Sequence, residues 1–160
     1  MRVGRRRTRR HVRGFTLIEL VTVITVMGVL AAIALPSFRA FVANQRIRNV
    51  SFDLMAALTL ARSEAVTRNR SVDLAKTGSA WDEGWEVKDS VNVFHRQQAY
   101  KNLAISDSSD LDVITYGKDG RTVTTSTKFT IAPSATTAGD NSRCISIGLS
   151  GLPASSMGGC

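Results

Sequence analysis

The chain has 160 residues, 21 basic and 13 acidic side chains, a formal net charge of +8 and two cysteines. That length holds one ordinary domain plus an anchor. The charge invites a nucleic-acid reading, but its distribution removes most of it: residues 1–14 carry seven arginines and no acid, leaving 14 basic against 13 acidic residues elsewhere, a net of +1. The basicity belongs to the N-terminal segment and says little about what the rest binds.

The predicted elements follow in chain order. Residues 15–35, FTLIELVTVITVMGVLAAIAL, are apolar with one charge, long enough as a helix to span the hydrocarbon core of a bilayer. Seven arginines precede them, so the positive-inside rule keeps the N-terminus cytoplasmic and exports the bulk of the chain. An ordinary signal peptide fits poorly, because the run ends in Leu35-Pro36 and continues as a helical pattern without a clear small-residue cleavage site. Residues 36–69 are its amphipathic continuation: Ile47, Val50, Leu54, Ala57, Leu58, Ala61 and Ala65 follow three- and four-residue steps and share one face. The helix is expected to end near Arg68, with Asn69 at its close. From Phe15 it would be roughly 80 Å long, with Gly28 and Pro36 as places for a bend.

Residues 70–160 change character, with Val, Thr, Ser and Gly prominent and no helical period. Strands are expected at Ser71–Leu74, Gly84–Val87, Asn92–Arg96, Val113–Tyr116, Arg121–Thr124, Lys128–Ile131 and Cys144–Gly148. Gly117–Gly120 reads as a hairpin turn, Thr136–Ser142 as a polar loop, and the tail Ser150–Cys160 as irregular. The fold class is therefore α+β, a long N-terminal helix on a small antiparallel sheet. Cys144 and Cys160 have fifteen residues between them and no CxxC or His cluster nearby, which speaks against zinc or thiol redox chemistry. In an exported domain they form a disulfide worth roughly 3 kcal/mol; two free thiols are the alternative.

The segment Arg13-Gly14-Phe15-Thr16-Leu17-Ile18-Glu19-Leu20 resembles the signal sequence of prepilins and pseudopilins. The resemblance implies cleavage by prepilin peptidase between Gly14 and Phe15 and N-methylation of Phe15. It also implies a role for Glu19. A carboxylate in an apolar segment costs about 2.5–3.5 kcal/mol on insertion scales, so it needs a partner. In the resembling family the acid at this position pairs with the N-terminal ammonium of a neighbouring subunit, here the nitrogen of Phe15. The plainer alternative is a glutamate that snorkels to the interface.

The stretch from Phe52 to Asn69, Trp81-Asp82-Glu83-Gly84-Trp85, Gly117 to Arg121, and Arg143–Ile147 followed by Ser150-Gly151 resemble the GspH/FimT family of minor pilins and pseudopilins. That implies a type IV pilin-like fold, residence in the cell inner membrane as a single-pass protein with a periplasmic domain, and partners among minor and major pilins, with membrane lipid before assembly. Trp81 and Trp85 are expected to pack in the core. The family divides into minor pilins that prime type IV pilus assembly, H-type pseudopilins of type II secretion, and DNA-binding pilins of natural transformation. The last group resemble one another in a Gly-Arg-x-Arg element, where this chain reads Gly151-Leu152-Pro153-Ala154. Phosphate contacts need Lys or Arg, so DNA is not the expected partner, although Arg121 and Arg143 remain nearby cations. The cysteine pair resembles the disulfide loop of pilins and favours the pilus.

An enzyme is the reading from another class. His95 is the only histidine beyond the leader, and no nucleophile elbow or P-loop is present. Asp107, Asp110 and Asp112 lack the EF-hand pattern and read as a solvated loop. Ser63-Glu64 has no base nearby in sequence. No catalysis, cofactor or metal is expected.

Overall fold

The computed structural model describes residues 15–134 and 142–160. The leader, including Gly14, and nearly all of the expected polar loop at Thr136–Ser142 lie outside the described residues. The chain divides into two units, residues 1–38 and 39–160.

Helix α1 spans Leu17–Arg68. Within the first unit its side chains are mostly aliphatic, and every apolar residue described there, from Phe15 to Phe38, is exposed. The helix continues through both Gly28 and Pro36, although the proline, lacking an N–H, donates no bond of its own. This is the one helix among the described residues that is long and apolar enough to cross a membrane.

In the second unit the same helix becomes one-sided. Ile47, Val50, Leu54, Ala57, Leu58, Ala61 and Ala65 are all buried, as their spacing predicts. The helix stops after Arg68 because Asn69 turns into the left-handed region (φ 51°). The amide of Arg70 then donates to Ala65 and that of Asn69 to Val66, at 3.2 and 3.3 Å, satisfying the last carbonyls in a Schellman pattern.

Among the described residues eight strands follow: β1 Val72–Lys76, β2 Trp85–Lys88, β3 Val93–Gln97, β4 Leu103–Asp107, β5 Val113–Tyr116, β6 Thr127–Pro133, β7 Arg143–Ile147 and β8 Pro153–Met157. They build two four-stranded antiparallel sheets, ordered β3-β2-β1-β5 and β4-β6-β7-β8. The α+β class holds, with two sheets in place of the single small one expected. Inward residues of both sheets, including Leu74, Trp85, Ile114, Phe129, Ile131 and Ile145, join the helix stripe in one hydrophobic core.

Three local expectations need correction. Arg121–Thr124 is not a strand: Thr122 makes a single bridge to Tyr116, and its hydroxyl is diverted to the Gly148 carbonyl at 3.1 Å. Leu103–Asp107 is a strand despite Ala, Ser and Asp, which have poor strand propensity, because Leu103 and Ile105 alternate into the core. The tail is not irregular, since Pro153–Met157 pairs with β7 along its length. Proline is tolerated there as the first residue of an edge strand.

Candidate functional site

At the N-terminal turn of α1 lie two of the residues singled out in the sequence, Phe15 and Glu19. Thr16 and Glu19 form a reciprocal cap. The Thr16 amide and hydroxyl each donate to Glu19 Oε2 at 2.9 Å, and the Glu19 amide donates back to Thr16 Oγ1 at 3.3 Å. This is the capping box, in which two otherwise orphaned helix donors are satisfied by side chains three residues apart. The Thr-x-x-Glu spacing before an apolar run was present in the sequence as its signal. Phe15 precedes this cap and is exposed. Glu19 is therefore held at the very start of the helix, and its carboxylate engages Thr16 within the chain.

The motifs further along meet at a tight junction between α1 and the strands. Arg62 Nε donates to the Gly120 carbonyl at 2.9 Å, joining the Ala61–Val66 segment to the Gly117–Arg121 turn. Gly120 has φ +73°, and a side chain there would press on Val66 and Arg62. Gly151 (φ +74°) closes the other side: a Cβ would lie 2.3 Å from the Gly120 carbonyl oxygen. Of the Gly151–Ala154 element only Gly151 is enclosed in this close-packed corner; Leu152 and Ala154, which stand where arginines were looked for, are exposed. Tyr116 lies against the same corner, fully buried, and burial pushes its hydroxyl up to about 12.

Trp81 and Trp85 do pack in the core, as expected. Trp81 meets the Phe129 ring edge-on at 5.0 Å and donates its indole N–H to the Leu111 carbonyl at 3.1 Å. Trp85 is fully enclosed beside Tyr100. Between them Gly84 has φ +108°, where a Cβ would come within 2.4 Å of the Gln97 carbonyl.

The acidic and titratable candidates go to separate structural duties. Asp107 accepts from Leu111 N–H at 2.6 Å and from the Thr127 hydroxyl. Asp112 pairs with Lys76 at 2.7 Å, a hydrogen bond that raises the lysine above its ordinary value. Asp110 sits at φ 50° in the turn between them. No group of three metal-ligating side chains occurs among the described residues. Glu64 pairs with Arg68 at 2.5 Å, and the Ser63 hydroxyl bonds the Leu60 carbonyl. His95 lies on β3, opposite Val87, and is exposed. Sequence reading passed over Asp89, whose side chain is enclosed. It accepts from Asn92 and Val91 amides at 2.6 and 2.7 Å and faces Arg70 at 3.3 Å. Those backbone donors hold its carboxyl below the usual range. Cys144 on β7 and Cys160 are joined by a disulfide.

Residues 52–151 match the model of the family described as type II transport protein GspH, and residues 9–35 match the prokaryotic N-terminal methylation motif. The type IV major pilin protein PilA of Myxococcus xanthus (strain DK1622) is 41% identical over 75 residues, 47% of this chain and 33% of that protein. The chain therefore matches about a third of the length of that relative. Two crystal forms of the type IV minor pilin FimU of Pseudomonas aeruginosa (strain PAO1) share the fold. One superposes with a TM-score of 0.62 over 71% of this chain and 90% of that one. The other gives 0.60 over 68% and 91%, both at 22% identity.

Proposed function

This chain belongs to the GspH family, a type IV pilin-like group of structural subunits, and on that premise we propose that it is a minor pilin of a type IV pilus. It is made as a precursor in the inner membrane, with the N-terminus cytoplasmic and the domain periplasmic. Prepilin peptidase cuts between Gly14 and Phe15 and methylates Phe15. The new ammonium pairs with Glu19 of a neighbouring subunit, neutralising two charges in an apolar bundle and setting the stagger between helices. The apolar helix leaves lipid and packs against equivalent helices, so its surface stays dry. It acts as a scaffold, with no catalysis of its own.

The observation that carries this reading is the Arg-Gly-Phe-Thr-Leu-Ile-Glu motif at the head of a helix whose apolar residues are exposed on every side. A segment of that kind needs lipid or other helices to cover it. The capping box adds a step to the mechanism: Glu19 must exchange its local bonds to Thr16 for the neighbour's ammonium.

A second reading, an H-type pseudopilin of type II secretion, is favoured by the description of the matching family. The pilus is preferred because the C-terminal disulfide resembles the pilin loop and because the named relatives are pilins. Three strains test the proposal. Gly14→Val is expected to leave the precursor uncut by mass spectrometry. Glu19→Ala is expected to be cut yet to stay out of filaments. Deletion is expected to abolish twitching while secretion continues. Cleavage of the Gly14→Val protein, normal piliation with Glu19→Ala, or loss of secretion alone on deletion would each overturn the corresponding part.

A further inference from the structure

Four strands lie at sheet edges, and three of them are guarded. β3 carries His95 and Arg96 and faces a register shift at Val87/Lys88. The outer side of β5 is taken by Thr122 and by the Val123 amide, which donates to Thr115. β4 lies against the Trp81–Glu83 turn. β8 differs: Pro153-Ala154-Ser155-Ser156-Met157 has no charge and no bulge, and four of its five residues are exposed. Natural edges are normally blunted by charge, proline, bulges or cover, and of these β8 shows only Pro153, at its first position, among the described residues.

The backbone of β8 is poised for pairing. The Gly158 amide donates to the Ser142 carbonyl at 2.9 Å. The alternation of an antiparallel ladder then turns the N–H and C=O groups of Ser155 and Met157 to the open side. Their side chains lie on the face of the sheet shared by Ile145 and Arg143, their register partners. On that face a groove of ≈ 260 Å³ opens between the sheet and α1, with Ile47, Phe41, Asn44 and Arg48 from the helix and Arg143 and Met157 from the sheet. Among the described residues, Arg48 and Arg143 have no carboxylate partner and no acidic side chain lines the groove.

We propose that β8 and this groove are a docking site for an extended acidic strand of another filament subunit. The added strand would hydrogen-bond to Ser155 and Met157, and its alternate side chains would enter the groove. There a carboxylate meets Arg48 and Arg143, and an apolar side chain two positions along the added strand meets Phe41 and Met157. Main-chain pairing supplies the affinity and the pocket the selection, with guanidinium–carboxylate bonds the stronger polar contacts. Only the identity of the partner as a filament subunit rests on the function proposed above; the addition of an acidic strand to β8 does not.

The test uses the full chain in detergent micelles and two capped peptides of about seven residues with threonine at every second position; the positions between, which share one face, alternate valine with glutamate in one peptide and valine with lysine in the other. Amide hydrogen exchange at Ser155 and Met157 is expected to slow about tenfold or more with the glutamate peptide and little with the lysine one. Arg48→Glu, an exposed helix position, is expected to reverse that preference. Ser155→Pro removes one outward N–H, leaves the ladder to β7 in place, and is expected to weaken peptide binding about tenfold. The proposal fails if exchange at these amides is unmoved, if both peptides act alike, or if Arg48→Glu keeps the original preference. It also fails if the amides are already slow in a concentration-dependent way before peptide is added, since the occupant is then a second copy. None of these readouts depends on piliation, so their failure leaves the filament assignment untouched.

Discussion

Residues 15–38 and residues 39–160 use the same aliphatic alphabet to opposite ends. Ile24 is 61% exposed and Ile47 1%; Leu30 is 61% exposed and Leu54 0%. In the first unit the apolar residues surround the helix, so no folding of the chain on itself has buried them. In the second they occupy one stripe, and two sheets bury that stripe. Hydrophobicity alone does not tell these fates apart, whereas its angular distribution does. A helix apolar on one side is completed by its own domain, and one apolar all round is completed by lipid or by other subunits.

The comparison can be broken most directly by deleting side-chain volume in each region. Leu54→Ala is expected to lower the unfolding free energy of the domain by about 2–5 kcal/mol, through lost burial and the cavity left behind. Leu30→Ala is expected to change it by less than about 0.5 kcal/mol, while impairing filament incorporation. Chemical denaturation of the full chain in micelles measures both, and equal losses would remove the distinction.

Loss of the Cys144–Cys160 bond is next in size. Cys160→Ser is expected to cost the domain about 3 kcal/mol in the chain-entropy view. Cleavage at Gly14 should proceed unchanged, because the bond lies wholly in the second unit. Denaturation midpoints with and without reductant measure the cost, and a midpoint indifferent to reductant would sink the expectation.

A smaller effect is expected at Gly84, where the left-handed backbone and the nearby Gln97 carbonyl exclude a Cβ. Gly84→Ala should destabilise by about 1–3 kcal/mol, whereas Gly28→Ala, with open space around it, should leave the domain's melting temperature unchanged. A matching shift for both would show that Gly84 carries no special strain.

The last effect, absent at neutral pH, is a pH dependence. Tyr116 has its hydroxyl raised from 10.0 to about 12 by burial, so the folded state favours the neutral phenol. The resulting stability is complete below pH 10 and is lost as the pH rises through 10 towards 12. Tyr116→Phe should abolish that part of the alkaline slope. An unchanged slope in thermal melts between pH 9 and 12 would assign it to other groups.

Much of this molecule was legible from residue order because its signals are local. The apolar run, the seven arginines before it and the Gly14-Phe15 pair with Glu19 four residues on are all short-range patterns. The buried helix stripe needs only the 3.6-residue period. The Thr16–Glu19 cap was equally local and could have been found from its spacing. The strands were harder. β4 and β8 are short, rich in Ala and Ser, and owe their conformation to the neighbours they pair with.

What the sequence by itself determined, then, is a segment built to be covered from outside, a helix face built to be covered from inside, and the Gly14-Phe15 motif on which the proposed cleavage rests. Tertiary structure alone decided that eight strands split into two sheets, and that Arg62, Gly120 and Gly151 close one corner although they lie far apart in the chain. It alone also left β8 as an open edge beside two arginines. The reason is physical. Periodicity and motif report what a residue needs from its surroundings, while pairing register and close packing depend on which distant segment supplies it.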